Sequence, residues 1–145
     1  LDGAIDYKGE DVGTRLDEEF PNGIELFFDN VGGDILDATL LHMADHGRIT
    51  MCGAISGYNE KELPPGPRNI RQIVTRRLTA RGFILLDHLA QAPKAIEELG
   101  RWSAEGRITV EEDIQQGFEN TPKTFLRLFQ GKNLGKQLLQ IAEPE

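Results

Sequence analysis

Cysteine is nearly absent from the sequence: Cys52 is the single one among 145 residues. A lone cysteine excludes a disulfide within the chain and a zinc centre built from several thiolates. This usage is typical of the reducing cytoplasm, where thiols stay unpaired. We therefore expect a cytoplasmic protein, and 145 residues are enough for a domain with a substantial core.

Positive charge and long apolar runs are also scarce. The chain has 16 lysines and arginines against 24 aspartates and glutamates, which gives a net charge of −8. Nucleic-acid binding needs clustered basic residues, so we expect no nucleic-acid partner; the basic residues within 68–77 fit a solvated helix face. No apolar run approaches the roughly 20 residues of a membrane helix, so we expect no membrane span.

Three catalytic signatures are missing. No G-x-G-x-x-G turn opens a dinucleotide-binding sheet. The segment Gly53-Ala54-Ile55-Ser56-Gly57 follows a predicted strand, but it leads into a proline-rich loop, and its serine lies one place too late for a nucleophile elbow. His42, His46 and His88 stand apart from one another and from Cys52, so the sequence predicts no metal site.

Predicted strands and helices alternate along the chain. We expect strands at residues 4–7, 24–30, 48–52, 78–86, 108–114 and 137–141, and helices at 10–20, 33–45, 69–77, 91–105 and 121–129. Such alternation indicates an α/β fold with a mostly parallel sheet and helices on both of its faces. Because the strands become shorter and more polar after His88, we expect one domain over residues 1–88 and a partly separate segment over 89–145.

Two strand ends are chemically distinctive. Residues 27–33 and 49–58 each run from an apolar strand straight into small and polar residues. Ligands of open α/β sheets bind beyond the carboxyl ends of the strands. The two segments therefore predict neighbouring lips of one ligand crevice, and the long irregular loop at 53–67 is of a length that is usually functional or disordered.

Six blocks, in order along nearly the whole chain, resemble those of a known family. They are Ile5-Asp6-Tyr7-Lys8, Phe28-Asp29-Asn30-Val31-Gly32-Gly33, Cys52-Gly53-Ala54-Ile55-Ser56-Gly57-Tyr58, Gly66-Pro67-Arg68-Asn69, Arg81-Gly82-Phe83 and Gly131-Lys132-Asn133-Leu134-Gly135-Lys136. Together they resemble the zinc-independent medium-chain dehydrogenases/reductases, and within them the prostaglandin reductase (leukotriene 12-hydroxydehydrogenase) branch of NADPH-dependent alkenal/one oxidoreductases.

The resemblance implies a fold and a place within it. The family combines a GroES-like catalytic domain with a Rossmann domain, a doubly wound parallel sheet. Residues 1–88 resemble the second half of that Rossmann domain, and 89–145 resemble the C-terminal segment that returns to the catalytic domain. The chain also lacks an initiator methionine. We therefore expect a piece of a longer polypeptide, with the glycine fingerprint and a phosphate-binding lysine upstream.

The first strand is a specific difficulty for this interpretation. In the usual strand order 3-2-1-4-5-6, a strand at Ala4 has no partner next to Ile24. We expect that strand to be displaced or disordered, or the upstream segment to be present as another chain.

The resemblance also implies site residues. Tyr7 would lie near the adenosine 2′-phosphate, which favours NADP over NAD, and Asn30 would bond the cofactor. Each has a plainer reading, as a strand-end tyrosine and as a helix-entry turn residue. The cofactor-binding residues implied are Tyr7, Asn30, Cys52, Gly53, Ala54, Ile55, Ser56, Gly57, Tyr58, Phe83, Ile84, Leu85 and Asn133.

Within this set, residues 52–58 would surround the nicotinamide largely through the backbone, with Cys52 as packing rather than nucleophile. Tyr58 is the candidate catalytic residue, because its phenol could bond the substrate carbonyl or the nicotinamide ribose; otherwise it anchors its loop. Residues 83–85 would reach the carboxamide through their backbone, or simply form core strand. Asn133 would reach the cofactor, or simply fill a glycine-flanked turn.

The implied activity is hydride transfer from NADPH to the β-carbon of an α,β-unsaturated ketone or aldehyde. Two further functions stay open: a catalytically incompetent fragment that serves as a structural, dimerisation or cofactor-binding module, and a quinone oxidoreductase of the same superfamily. The family also implies a homodimer formed through the last Rossmann strand, which we place at Leu78 to Leu86.

Overall fold

The computed structural model describes residues 2–62 and 64–143. These residues form two compact units, which divide between residues 87 and 88. The first unit alternates helices and strands. Its elements are α1 (Val12–Glu19), β1 (Ile24–Asp29), α2 (Gly33–His42), β2 (Met43–Met51), α3 (Gln72–Thr75) and β3 (Thr79–Gly82). The loop between β2 and α3 contains a short 3₁₀ helix, Ile55–Gly57, and Leu63 of that loop lies outside the described residues.

The three strands of the first unit form one parallel sheet in the order β1-β2-β3. Phe27 of β1 lies beside Ile49 of β2, and Ile49 lies beside Ala80 of β3. One core joins this sheet to the helices: Leu16, Ile24, Leu36, Leu40, Met43, Ile49 and Leu78 are buried together. The burial of this apolar surface holds α1 and α2 in place, because helix packing supplies more stability than helix propensity.

The start of α1 shows how local sequence sets an element. The side chain of Asp11 accepts a hydrogen bond of 2.8 Å from the backbone N–H of Thr14, which is an N-cap. That backbone hydrogen bond lowers the pKa of the Asp11 carboxyl below its ordinary value. Asp11 therefore begins the helix at Val12, and the next turn carries Leu16 into the core.

The second unit is a smaller βαβ arrangement preceded by a helix. Its elements are α4 (Ala92–Ala104), β4 (Glu112–Gln116), α5 (Thr121–Gln130) and β5 (Lys136–Gln140), and 3₁₀ helices cover Leu85–Gln91 and Phe118–Asn120. Strands β4 and β5 pair in parallel as a separate two-stranded sheet. Within the described part of the chain, no helix has both the length and the apolar character needed to cross a membrane.

The expected α/β fold with parallel strands is confirmed, but one expected strand is missing and two helices are shorter than expected. No strand forms at residues 4–7, where residues 2–6 have no regular structure; only Ile5 packs against the core. The helix expected to reach Asp45 ends at His42, because Met43 already pairs with Ile24 and β2 begins there. The helix expected at 69–77 is a single turn, Gln72–Thr75.

Strand boundaries near the sheet edge and in the second unit also differ from expectation. The strand predicted from Leu78 to Leu86 is limited to Thr79–Gly82, and Leu85 already belongs to a 3₁₀ helix. The reason is the partner: β2 ends at Met51, opposite Gly82, and the last bond between the two segments is the one that the Phe83 N–H donates to the Met51 carbonyl. The strand predicted at 108–114 lies instead at Glu112–Gln116, where β5 supplies its partner.

Arg127 ties the second unit together. Its guanidinium donates to Asp113 Oδ2 at 2.6 Å, to Gln137 Oε1 at 2.9 Å and to the carbonyl of Lys132 at 3.0 Å. The hydrogen bond from Arg127 is the main cause of a pKa of Asp113 below its ordinary value, with a second bond from Gln115 acting in the same direction. One side chain of α5 thus links both strands of the small sheet.

This pairing predicts how the stability of the second unit depends on pH. A carboxyl with a lowered folded pKa stabilises the fold above its unfolded pKa, about 3.9, and loses that effect as pH falls through the folded value. Asp113→Asn should therefore lower thermal stability at neutral pH, and its difference from the wild type should shrink as pH falls below about 3.9. The fluorescence of Trp102, the one tryptophan, reports the unfolding. Glu112→Gln, an exposed neighbour on β4, is the control; equal effects of both variants would contradict the prediction.

Candidate functional site

The ends of β1 and β2 lie side by side at one edge of the parallel sheet. Asp29, the last residue of β1, is opposite Met51, the last residue of β2. The chain leaves β2 by a turn toward β1: the N–H groups of Cys52 and Gly53 donate to the carbonyl of Asp29 at 2.7 and 3.1 Å. The structure thus brings together the two segments that the sequence singles out as lips of one crevice.

Backbone hydrogen bonds then continue from one lip to the other. The N–H of Ile55 donates to the carbonyl of Asn30 at 3.2 Å, and the N–H of Ser56 donates to the carbonyl of Val31 at 3.1 Å. The Ser56 hydroxyl donates to the same Val31 carbonyl at 2.6 Å. Residues 52–57, which we call the crevice segment, are therefore held on the turn at residues 30–33, which we call the β1 turn.

Two glycines make this close approach possible. Gly32 and Gly33 adopt φ values of 68° and 55°, in the region that L side chains rarely occupy. A Cβ on Gly33 would lie 2.8 Å from Ser56 Oγ, and one on Gly32 would lie 3.2 Å from the Cβ of Ala54. The Gly-Gly pair is required both by the turn and by the contact with the crevice segment.

Asp29 is the residue that sequence reasoning missed. Its side chain is buried, and Oδ1 accepts hydrogen bonds from the N–H groups of Val31 and Gly32, both at 2.9 Å. The available signal was an aspartate directly before Asn-Val-Gly-Gly, since aspartate side chains often bond the backbone two residues on and close a turn.

Tyr58, the candidate catalytic residue, is exposed at the end of the crevice segment. The residue is 68% exposed, and its hydroxyl accepts a hydrogen bond of 3.3 Å from the N–H of Ala54. A Cβ on Gly53 would lie 3.2 Å from this hydroxyl. The tyrosine therefore does anchor its loop, and because a phenol can accept and donate at once, its O–H stays able to donate.

Two grooves flank the crevice segment, and residues from Gly33 to Ala38 of α2 contribute to the lining of both. One groove has a volume of about 490 Å³, and Tyr7, Gly32 and Ser56 are among its lining residues. The other, of about 300 Å³, is lined by Gly33, Ser56 and the proline-rich end of the loop. Volumes of several hundred Å³ are typical of small-molecule sites.

The groove beside Tyr7 has an acidic lining. Glu10, Asp11 and Asp34 contribute to it, and within the described part of the chain no lysine or arginine does. The nearest cation in sequence is Lys8, whose Nζ lies 5.8 Å from the centroid of the Tyr7 ring. Carboxylates repel phosphate, so the groove lining by itself does not form a phosphate site.

The other residues named from the sequence occupy less central places. Phe83 leaves the sheet with its N–H bonded to the carbonyl of Met51 at 2.9 Å, and its ring meets Phe28 edge to face at 6.0 Å. Ile84 and Leu85 are exposed rather than core strand. Asn133 lies in the second unit, where its Nδ2 donates to the carbonyl of Gly135 at 2.8 Å and closes a turn.

Metal ligation finds no support in the described residues. Among residues 2–62 and 64–143, no group of three or more His, Cys, Asp or Glu side chains could hold a metal ion. Cys52 is half-buried and contributes to the crevice through its backbone N–H.

The requirement for glycine at the β1 turn can be tested by a substitution that adds a single methyl group. Gly33→Ala should lower the free energy of unfolding by about 1–2 kcal/mol or more, because alanine is strained at positive φ and its Cβ meets Ser56 Oγ. Gly82→Ala is the matched control, since no atom lies within 4 Å of its added Cβ; we expect a change within about 0.5 kcal/mol. Urea unfolding measures both, and equal losses would contradict the structural reason given for Gly33.

Comparisons with known proteins agree with this architecture. A (+)-pulegone reductase of Mentha piperita is 37% identical over 143 residues, covering 98% of this chain and 42% of that protein. A 2-alkenal reductase (NADP(+)-dependent) of Nicotiana tabacum is 38% identical, covering 98% of this chain and 41% of that protein. The crystal structure of CurA from Vibrio vulnificus in complex with NADPH superposes with a TM-score of 0.85 at 34% identity, covering 99% of this chain and 44% of CurA.

The chain thus spans about two fifths of the length of these relatives. The profile of the family described as zinc-binding dehydrogenase matches residues 1–139. This match covers nearly the whole chain, and the expected resemblance to medium-chain dehydrogenases/reductases is confirmed. The chain belongs to the zinc-binding dehydrogenase family.

Proposed function

We propose that this chain forms the nicotinamide side of an NADPH-dependent oxidoreductase that reduces the C=C bond of α,β-unsaturated ketones and aldehydes. The observation that carries the proposal is the crevice segment held by backbone hydrogen bonds on the β1 turn, at the carboxyl ends of two parallel strands. That edge is where open α/β sheets bind ligands. The names of the pulegone and 2-alkenal reductases, and of CurA crystallised with NADPH, support the cofactor and the substrate class.

The residues present suit a nicotinamide. NADPH, when bound, would supply the hydride. Ala54, Ile55 and Ser56 are exposed. The small side chains of the crevice segment would let the cofactor approach its backbone. The residues concerned are Gly53, Ala54, Ser56 and Gly57. Asn30, whose side chain is exposed at the end of β1, would bond the cofactor there, and Cys52 would contribute backbone and packing. The backbone of Phe83, Ile84 and Leu85 would face the carboxamide. The family resemblance implies that Asn133 would also reach the cofactor.

The adenosine side of the cofactor needs groups that the groove lining does not supply. Tyr7 is exposed and lines the acidic groove, with Lys8 beside its ring. We place Tyr7 against the adenosine end and assign the main neutralisation of the 2′-phosphate to a lysine upstream of this chain. Selectivity for NADP over NAD would then depend on both segments.

Tyr58 would polarise the substrate. Reduction at the β-carbon places negative charge on the carbonyl oxygen, and a positioned donor stabilises that charge. The hydroxyl of Tyr58 is held by the N–H of Ala54 and keeps its own proton to donate. The α-carbon would receive its proton from solvent or through this hydroxyl. No step is assigned to zinc, since the described residues offer no ligand set.

The larger assembly is also a proposal. Residues 1–87 would complete a Rossmann domain with an upstream half, supplied by the same or another chain, and 88–145 would return to a catalytic domain. The edge strand β3, exposed along Thr79–Gly82, would pair with its copy in a cytoplasmic homodimer.

An alternative function, a structural or cofactor-binding module without catalysis, is favoured by one observation. Leu26 and Phe28 are 62% and 52% exposed on β1, although they are large and apolar. Exposed apolar patches mark surfaces that another segment covers. A chain that depends on such a segment could fold and yet not turn over substrate.

Titration with NADPH and turnover of a small enone distinguish these functions. NADPH binding by the chain, with oxidation of NADPH on addition of a 2-alkenal or enone, supports the proposed activity. Binding without turnover supports the cofactor-binding module. Binding only after addition of an upstream segment supports a structural fragment, and turnover of a quinone alone supports a quinone oxidoreductase. Absence of NADPH binding in every combination overturns the proposal.

The role of Tyr58 predicts a separation of catalysis from cofactor binding. In the form of the polypeptide that turns over an enone, Tyr58→Phe should lower kcat by about a hundredfold, as loss of one oxyanion donor does elsewhere. The Kd for NADPH should stay within about twofold. Ser103→Ala, which removes an exposed hydroxyl on α4, is the control. An unchanged kcat in Tyr58→Phe would show that this tyrosine only anchors the loop.

A further inference from the structure

Asp29 is a buried carboxylate that the proposed reaction does not use. It ends β1 at the edge where the crevice begins, and it is 1% exposed. Burial of a carboxylate is unfavourable unless hydrogen bonds replace its water. The bonds that Asp29 makes therefore indicate its function.

Those bonds reach both lips of the crevice. Oδ1 accepts from the N–H groups of Val31 and Gly32, which closes the β1 turn. The backbone carbonyl of the same residue accepts from the N–H groups of Cys52 and Gly53, which begins the crevice segment. Asp29 thus takes two backbone hydrogen bonds from each side.

The β1 turn also holds the rest of the crevice segment through hydrogen bonds. The carbonyls of Asn30 and Val31 accept the N–H groups of Ile55 and Ser56, and the Val31 carbonyl also accepts the Ser56 hydroxyl. The peptide groups around Val31 are the same ones that the Asp29 carboxylate orients. A change at Oδ1 therefore propagates to residues 55 and 56 through the backbone of the turn.

We propose that Asp29 is a positioning residue, whose carboxylate sets the geometry of the crevice segment by holding the β1 turn. The relevance of that geometry to NADPH rests on the proposed function, whereas the geometric role itself does not. This role requires a hydrogen-bond acceptor at the position of Oδ1 and does not require a negative charge.

The second carboxylate oxygen supports this distinction. Oδ2 is buried and has no hydrogen-bond partner among the described residues. Replacing it by the amide NH₂ of asparagine therefore breaks no hydrogen bond, while the asparagine oxygen keeps the place of Oδ1. Asp29→Asn is the conservative variant, and Asp29→Ala removes the acceptor.

Amide hydrogen exchange, followed by NMR on the chain without cofactor, tests the proposal. In Asp29→Ala, the protection of the amides of Gly53, Ile55 and Ser56 should fall about tenfold, the size of effect expected for loss of a hydrogen bond. In Asp29→Asn, protection should stay within about twofold of the wild type. The amides in the middle of β2 should be unchanged in both.

Ile49→Val is the control for lowered stability, since it removes a methylene group from the core and leaves the crevice segment unchanged. Its effect should spread to all amides that exchange by global unfolding rather than concentrate at the crevice segment. If Asp29→Ala does not fold, Asp29→Glu replaces it, because the extra methylene moves the carboxylate off the turn. Wild-type protection in the Ala or Glu variant overturns the proposal, and so does an Asn variant as impaired as Ala.

Titration of the same variants with NADPH connects positioning to binding. We expect Asp29→Ala to raise the Kd about tenfold and Asp29→Asn to leave it within about twofold. If the wild type binds no NADPH, alone or with an upstream segment, the proposed function fails, and the exchange data still decide the role of Asp29. If it binds and Asp29→Ala retains wild-type affinity, the link between this geometry and the cofactor is overturned.

Discussion

The parallel pairing of β1 with β2 is the constraint on which the site depends. Its register places Asp29 opposite Met51, so that both strands end at the same edge of the sheet. Because the backbone leaves both strands there, N–H and carbonyl groups that would otherwise lose their partners bond to each other across the gap. The crevice is thus a consequence of how two neighbouring strands satisfy their terminal hydrogen bonds.

Packing on one face of the sheet keeps that register in place. Leu40 and Met43, at the junction of α2 and β2, are almost completely buried, and Ile49 continues the same core along β2. A shift of one residue in the pairing of β2 would turn Met43 and Ile49 to the opposite face of the sheet, away from Leu40. The core therefore fixes the register, and the register fixes where the β1 turn and the crevice segment meet.

The chemistry of the site is mainly that of the backbone. The glycines of the β1 turn allow the two lips to approach each other closely, and the N–H groups of the crevice segment are bonded within the fold. Side chains are added sparingly: the Ser56 hydroxyl strengthens the link between the lips, and Tyr58 offers a donor at the exposed end. Such an arrangement orients a cofactor that brings its own reactivity, as the proposed function requires.

The sequence by itself determined the α/β alternation, the family, and the two segments that form the crevice, because these follow from local periodicity and from residues adjacent in the chain. It could not give the lengths of strands, because a strand extends only as far as its partner does. Strand β3 stops at Gly82, opposite the end of β2 at Met51. Residues 4–7 form no strand, and no strand of the described chain pairs with them. Nor could it show that Asp29 is buried or that the N–H groups of Cys52 and Gly53 bond to its carbonyl, because these contacts exist only once two strands distant in sequence lie side by side. Hydrogen bonds between segments are decided by tertiary structure, because their partners are chosen by packing and not by sequence neighbours.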